Sequence, residues 1–348
     1  VNQIMAPNAR GFCGCPAELK LDLGGHFKGY AVFVDEDAEF AGQRDFEFRK
    51  NTEIHFTGET TLDNGLTVGV HVEKSVELID DQDNEVYAYF SGQWGRVNFG
   101  SEDGAAYLLQ VAAPSADSNV DGLRTFISGF QSDVDMDYDH AHFGNGPVDS
   151  EDRDAVDRIT YMTPKFNGFQ AGVSYAPEAE TNGGIDTMGT AGYEDLWELA
   201  VRWDGEFEGV GISLGAGYSS SDAPTGSDDA EAWNIGVNLA WNQFSFGAAY
   251  VDEEGLQDLR TGQYGDDTTT WVVGAAWDNG PYHVGASYLK REDELAGVDT
   301  DSYKAAIGGG YTFGPGMTFR GTVAMGEANL VGAEEDFTQI TLGTDIQF

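Results

Sequence analysis

The chain has 348 residues, with 18 basic side chains against 60 acidic ones and a net charge of −42, a balance that excludes nucleic acid as a ligand because phosphate binding needs clustered Lys and Arg. Mean hydropathy is −0.36, and no stretch approaches the ~18 uninterrupted apolar residues of a membrane helix. Aromatics at 12% and 47 Gly against 9 Pro fit many strands joined by tight turns; a disordered acidic chain would be poor in aromatics. A transmembrane β-barrel reconciles these numbers. Lipid-facing and lumen-facing residues alternate along each strand, so averaged hydropathy cancels while one face stays apolar.

The chain begins at Val1 without a methionine, and the expectation is a processed mature form with residues 1–17 as a periplasmic N-terminal extension. That extension carries both cysteines, Cys13 and Cys15, in Gly11-Phe12-Cys13-Gly14-Cys15-Pro16. A disulfide between them closes a small, strained ring, and two thiolates alone leave a metal site short of ligands. The expectation is a structural disulfide or a pair of free thiols.

Residues 18–348 read as one barrel. In the first strand Leu19, Leu21, Leu23, Phe27 and Phe33 point one way, leaving Lys20, Asp22, His26, Lys28 and Tyr30 for the lumen. The second puts Phe46, Phe48, Ile54 and Phe56 outside and Glu47, Arg49, Asn51, Glu53 and His55 inside. The third places Val68, Val70 and Val72 outside with His71 and Glu73 inside, and the fifth sets Val97 and Phe99 against Arg96 and Asn98. The same alternation returns at Val210–Tyr218, Trp233–Trp241, Trp271–Trp277, Tyr282–Tyr288 and Phe319–Met325.

Tight turns are expected at Asp63-Asn64-Gly65, Gly92-Gln93-Trp94-Gly95, Asn167-Gly168, Asp204-Gly205, Trp241-Asn242-Gln243, Asp278-Asn279-Gly280 and Gly314-Pro315-Gly316, residue types that tolerate positive φ. Between them lie longer acidic connections near 35–43, 78–85, 103–156, 177–192, 219–230, 252–267, 291–300 and 327–336. Eight long and seven short connections, in strict alternation, join about 16 antiparallel strands, an even number as bacterial barrels require. Trp203, Phe207, Trp241, Trp277, Tyr282, Phe313 and Phe348 fall near the short-turn ends. Tyr175, Tyr193, Tyr218, Trp233, Tyr250, Trp271 and Tyr288 fall near the long-loop ends. Two such rows are the expected interfacial girdles.

The last segment, Thr338 to Phe348, alternates and ends on an aromatic, and it resembles the terminal strand of outer-membrane proteins. Gly95-Arg96-Val97-Asn98-Phe99-Gly100-Ser101-Glu102-Asp103-Gly104 resembles the fifth strand of Gram-negative general porins, closest in character to the alphaproteobacterial type. The resemblance implies an all-β, 16-stranded homotrimeric outer-membrane channel, passive and water-filled, for small hydrophilic solutes and ions. It also implies that the connection 104–156 folds inward as a constriction loop, although this loop lacks the Pro-Glu-Phe-Gly-Gly sequence of many enteric porins.

Parity gathers the scarce bases Lys20, Lys28, Arg49 and Arg96 on one stretch of wall with His26, His55 and His71. The resemblance sets such a cluster against acids of the inserted loop, here Glu102, Asp103, Asp117 and Asp121, to make a transverse field that sorts solutes without catalysis. Arg124, Arg153 and Arg158 are candidates to tether the loop; Arg202, Lys304 and Arg320 fall at lumen parity on the far wall. The acidic loops and net charge point to a cation-leaning channel.

Asp133, Asp135, Asp137 and Asp139 place a carboxylate at every second residue, a hard-oxygen set suited to calcium in an external loop. Such a loop can also bridge through divalent ions to lipopolysaccharide. No cofactor is required. His140 and His142 lie near Ser132, but nothing marks a nucleophile or oxyanion hole, so no enzyme is expected. Gly308-Gly309-Gly310 is strand glycine with no helix behind it to cradle phosphate. Two other readings compete. One is a substrate-selective channel of the same fold, with Tyr107, Phe126, Phe130 and Tyr138 supplying an aromatic tract; the other is a soluble calcium-binding β adhesin, which extraction without detergent would favour.

Overall fold

The computed structural model describes residues 19–36, 44–76, 83–115, 156–178, 193–222, 229–258, 263–295, 298–330 and 333–348. The strands are β1 (Lys20–Glu36), β2 (Phe46–Thr61), β3 (Thr67–Ser75), β4 (Asp83–Gly92), β5 (Gly95–Glu102), β6 (Val156–Met162), β7 (Phe169–Glu178) and β8 (Glu194–Phe207). They continue with β9 (Val210–Asp222), β10 (Ala230–Trp241), β11 (Phe244–Asp258), β12 (Gln263–Asn279), β13 (Tyr282–Leu295), β14 (Val298–Gly314), β15 (Met317–Leu330) and β16 (Ala333–Gln347). Among the described residues a short helix, α1 (Ala105–Leu108), follows β5.

Each strand pairs antiparallel with its sequence neighbours, and β1 pairs with β16 to close the 16-stranded barrel. The closing register runs from His26 opposite Gln347 to Glu36 opposite Phe337. Beyond it, Gly25 and Phe348 exchange both backbone hydrogen bonds at 3.1 Å. Closure removes the sheet edge, whose unpaired N–H and C=O groups would each cost several kcal/mol in hydrocarbon.

The polarity is that of a soluble protein turned inside out. Phe48, Phe99, Leu199, Ile235, Ile307 and Leu342 are exposed on the outer face, while Asn98, Thr160, Ser174, Asn234 and Thr341 are buried on the inner one. An apolar exterior around a polar interior is stable where the surrounding medium is lipid. Aromatic rows flank this surface: Tyr175 packs on Trp197, Trp233 on Tyr250 and Trp271 on Tyr288 at centroid distances of 4.6, 5.1 and 5.4 Å. Tyr282–Tyr311 and Tyr311–Phe313 do the same at the short-turn end, at 5.1 and 4.9 Å.

The structure corrects the sequence-based expectations in three places. The connections expected at 252–267, 291–300 and 327–336 are largely strand, because β11 to β16 run on until only 259–262, 296–297 and 331–332 lie between paired strands. These extensions are polar on both faces, so they lack apolar alternation, yet they hold by cross-strand pairing such as Thr268 to Asp293, 2.8 Å. The turn expected at Asp204-Gly205 sits instead at Glu208-Gly209, which take φ of 50° and 81° as a two-residue hairpin turn requires. Asp204 stays in β8, bonded to Arg202, Lys165 and Ser213. Tyr193 leaves the girdle, turning inward to donate to the Gly255 carbonyl at 3.0 Å.

Ile235 stands mid-strand on the outer face of β10 and Glu231 near its loop end. Ile235→Arg should destabilise the folded barrel by about 2–4 kcal/mol and Glu231→Arg by about 1 or less. Urea titration in lipid vesicles, read by the gel shift between folded and heat-denatured forms, measures both.

Candidate pore-lining site

The inner faces of β1 to β5 form a continuous ionisable wall, ordered by strand register. Lys20 lies opposite Glu59 and pairs with it at 3.5 Å. Tyr89 donates to the same Glu59 at 2.9 Å. The Arg96 guanidinium lies 4.0 Å from the Tyr89 ring centre, a cation–π contact, and its Nε donates to Asn98 Oδ1 at 2.6 Å. Asn98 Nδ2 in turn donates to both Glu102 oxygens at 2.6 Å. Glycine makes room at one point: a Cβ on Gly69 would overlap the Tyr89 ring.

Parity therefore places Lys20, Lys28, Arg49, Arg96 and His71 on one wall, but they do not form one patch. Lys20 and Arg96 belong to the short-turn side, where Arg96 pairs with Ser91 beside the β4–β5 turn. Lys28 and Arg49 lie toward the long-loop side, opposite Asn51 and Tyr30. Between the two pairs runs a band of His26, Glu53, His55, Glu73 and His71. Glu102, expected on the loop across from the bases, is the last residue of β5 and sits on their own wall. Asp103 follows it, half-buried. Asp117, Asp121, Asp133, Asp135, Asp137, Asp139, Arg124, Arg153, Cys13 and Cys15 lie outside the described residues.

Beyond Asp103 the chain turns into the barrel and runs along the opposite wall. The first N–H groups of α1, which lack intrahelical partners, are taken up by that wall: Ala105 N–H donates to Ser174 Oγ at 2.8 Å and Ala106 N–H to Glu198 Oε2 at 2.9 Å. The Glu198 carboxylate also accepts from Arg158 Nη1, and both side chains are almost wholly buried. Arg158, considered as a loop tether, thus acts from β6 through Glu198. Arg202 Nη1 donates to the Gln110 carbonyl at 3.2 Å, Asn234 Nδ2 to the Ala106 carbonyl at 3.3 Å, and His283 Nε2 to the Ser115 carbonyl at 3.0 Å. Lys304 and Arg320 stay on the strand wall, in β14 and β15.

A line of inward glycines lets this segment lie flat. A Cβ on Gly172 would press on Ala105, on Gly217 on Ala106, and on Gly215 on Val111. On Gly236 it would overlap the Val111 carbonyl oxygen, and on Gly274 the Pro114 carbonyl oxygen. Ala112 and Ala113 complete a small apolar cluster with Ala249, Val251, Val272 and Leu289, against which Tyr107 packs. The lumen is thereby divided between a titratable wall on β1 to β5 and a chain segment laid over β7 to β13.

A family model described as Gram-negative porin matches residues 11–329. The chain belongs to the Gram-negative porins, proteins of the outer membrane. An uncharacterized protein of Rickettsia conorii is 25% identical over 271 residues, covering 64% of this chain and 58% of that protein. The chain therefore spans less than two thirds of the length of the curated relatives it matches. Among solved structures, an anion-selective porin from Comamonas acidovorans superposes with a TM-score of 0.66 at 17% identity, over 95% of this chain and 100% of that one. The trimer form of OmpT, an outer-membrane protein of Vibrio cholerae, gives 0.65 at 14% identity, over 95% and 99%. At such identities the likeness carries the fold alone.

Several residues of this porin's lumen escaped sequence reasoning. Glu198 and Ser174 have no local motif and are recognised only when α1 is seated on them. The glycine line left a signal, since Gly215, Gly217, Gly236, Gly247 and Gly274 all fall at inward parity in adjacent strands. Glu198→Ala would strand the buried Arg158 cation without its carboxylate, and breaking such a pair costs about 3–5 kcal/mol. The expected result is a lower unfolding midpoint in urea, largely restored by the double variant Glu198→Ala with Arg158→Met.

Proposed function

We propose that this porin is a general-diffusion channel, a passive water-filled pore for small hydrophilic solutes and ions that leans toward cations, and that it does no covalent chemistry. One observation carries the reading: an inner wall of ionisable residues faces a chain segment that is bonded along the opposite wall from Ala105 to Ser115. Such a segment narrows a pore without plugging it, and fixed charges at a narrow section decide which ions enter. Glu53, Glu59, Glu73, Glu85 and Glu102 on the described wall outweigh Lys20, Lys28, Arg49 and Arg96, which supports the cation preference along with the net charge. Lys20, Lys28, Arg49, Arg96, His71, Glu102, Asp103, Asp117 and Asp121 are the residues proposed to shape the constriction. The working unit is proposed to be a homotrimer in outer-membrane lipid and lipopolysaccharide, with Asp133 to Asp139 as a calcium site outside the pore.

Planar-bilayer recording of detergent-purified protein under a KCl gradient tests this. Stepwise openings in threes with a reversal potential on the cation side are expected; a silent but folded barrel would refute the open channel. Arg49→Glu with Arg96→Glu should raise the cation preference, and an unchanged reversal potential would place these bases away from the ion path. Gly236→Val, which drives a side chain into the Val111 carbonyl, should displace the docked segment and increase single-channel conductance with the barrel still folded.

A further inference from the structure

We infer that the His-Glu band on the lumen wall is a binding site for one borderline divalent transition-metal ion, of the Zn²⁺ or Cu²⁺ class. His26, Glu53 and His55 bring three ligand atoms within 4.8 Å of one another, and so do His55, His71 and Glu73. The two sets share His55 Nε2 and therefore describe one site with two arrangements.

The separations have the scale that a small cation imposes. Two ligands each about 2.0–2.1 Å from a tetrahedral zinc lie about 3.3 Å apart. Here His26 Nδ1 is 3.4 Å from Glu53 Oε2, and His55 Nε2 is 3.2 Å from Glu53 Oε2 and 3.4 Å from Glu73 Oε2. His71 Nε2 lies 3.7 Å from Glu73 Oε2 and 4.0 Å from Glu85 Oε2. Three carboxylates thus converge on imidazole nitrogens, a mixed nitrogen and oxygen donor set gathered at one place on the wall.

Orienting partners are in place as well. His26 Nε2 is 2.5 Å from Asn51 Oδ1, and His71 Nδ1 is 2.9 Å from Thr57 Oγ1. Hydrogen bonds on the remote ring nitrogen hold a ligating imidazole in one tautomer and direction. The backbone fixes the spacing, since Thr57 is opposite His71 and His55 opposite Glu73 in the β2–β3 register. Imidazole with carboxylate selects zinc and copper over calcium and magnesium, which prefer oxygen alone. His55 is about one third exposed, so an ion there is reached from the lumen and keeps a position for water. It would also place two positive charges between the Lys20–Arg96 and Lys28–Arg49 pairs, and so lower cation current. That last consequence rests on the channel reading; the binding does not.

The test is calorimetric titration of the folded, metal-stripped protein in detergent with ZnCl₂ in millimolar CaCl₂, beside Cu²⁺ electron paramagnetic resonance. One Zn²⁺ per chain is expected to bind despite the calcium, with affinity falling roughly tenfold or more in His55→Gln, and the Cu²⁺ spectrum should show nitrogen hyperfine splitting. Undiminished Zn²⁺ affinity in a folded His55→Gln, or competition by calcium, would assign the binding to acidic loops and overturn the site. Should His55→Gln not fold, the wild-type Cu²⁺ spectrum decides, and coordination by oxygen alone refutes the proposal. Zn²⁺ binding by a barrel that conducts no current would retain the site and refute only the channel.

Discussion

Backbone hydrogen bonding without an edge is the constraint on which the rest of this structure depends. A sheet in lipid must pair every N–H and C=O within itself, and here β1 meets β16 from His26 to Glu36. Once the ring is closed, stability does not require an apolar core. The outer face is set by lipid and the inner face is free to carry charge. Glu53, Glu73 and Glu85 can therefore crowd into one band of wall, an arrangement that a packed interior would not tolerate without full pairing of every charge.

Docking of the inserted segment follows from the same freedom. A chain running over the inside of a sheet meets side chains at every second residue, and the inward glycines of β7, β9, β10, β11 and β12 remove that obstacle where contact is closest. The contact is largely between backbones: the Val111 and Pro114 carbonyls lie against the Cα atoms of Gly236 and Gly274. Backbone against glycine leaves little play, and the five polar ties through Ser174, Glu198, Arg202, Asn234 and His283 fix the path along the wall. The segment behaves as part of the wall, so the width of the lumen becomes a property of the strand sequence as much as of the loop.

Most of the barrel was legible because its outer face has an apolar partner over most of its height. Strict alternation such as Trp233, Ile235, Val237, Leu239 and Trp241 needs no tertiary information to be read, and the expected tight turns carry Gly or Asn at positive φ, unlike the misplaced one at Glu208. Legibility failed where that partner was absent. Past the aromatic rows the ends of β11 to β16 are rich in acidic and polar residues, so Thr268, Arg291 and Asp293 mark strand only through their cross-strand contacts. The spacing of the bases along the wall depends on stagger between strands, which hydrophobic pattern does not encode. Register alone separates Lys20 and Arg96 from Lys28 and Arg49.

That separation changes the physics of the wall. Four clustered cations would repel one another and produce one steep positive patch facing the docked segment. With carboxylates between the two pairs, Lys20 finds a counter-charge in Glu59, and Arg96 lies on the Tyr89 ring and is joined through Asn98 to Glu102. The wall then presents alternating sign along the strands instead of a single pole. Under the proposed channel function a hydrated cation would meet the Glu-rich middle band between two basic rows, and the balance among these rows, more than the summed charge of the chain, would set the preference at close range. The histidines stand in that middle band, where any change in their charge or occupancy would act on a passing ion at a distance too short for salt to screen fully.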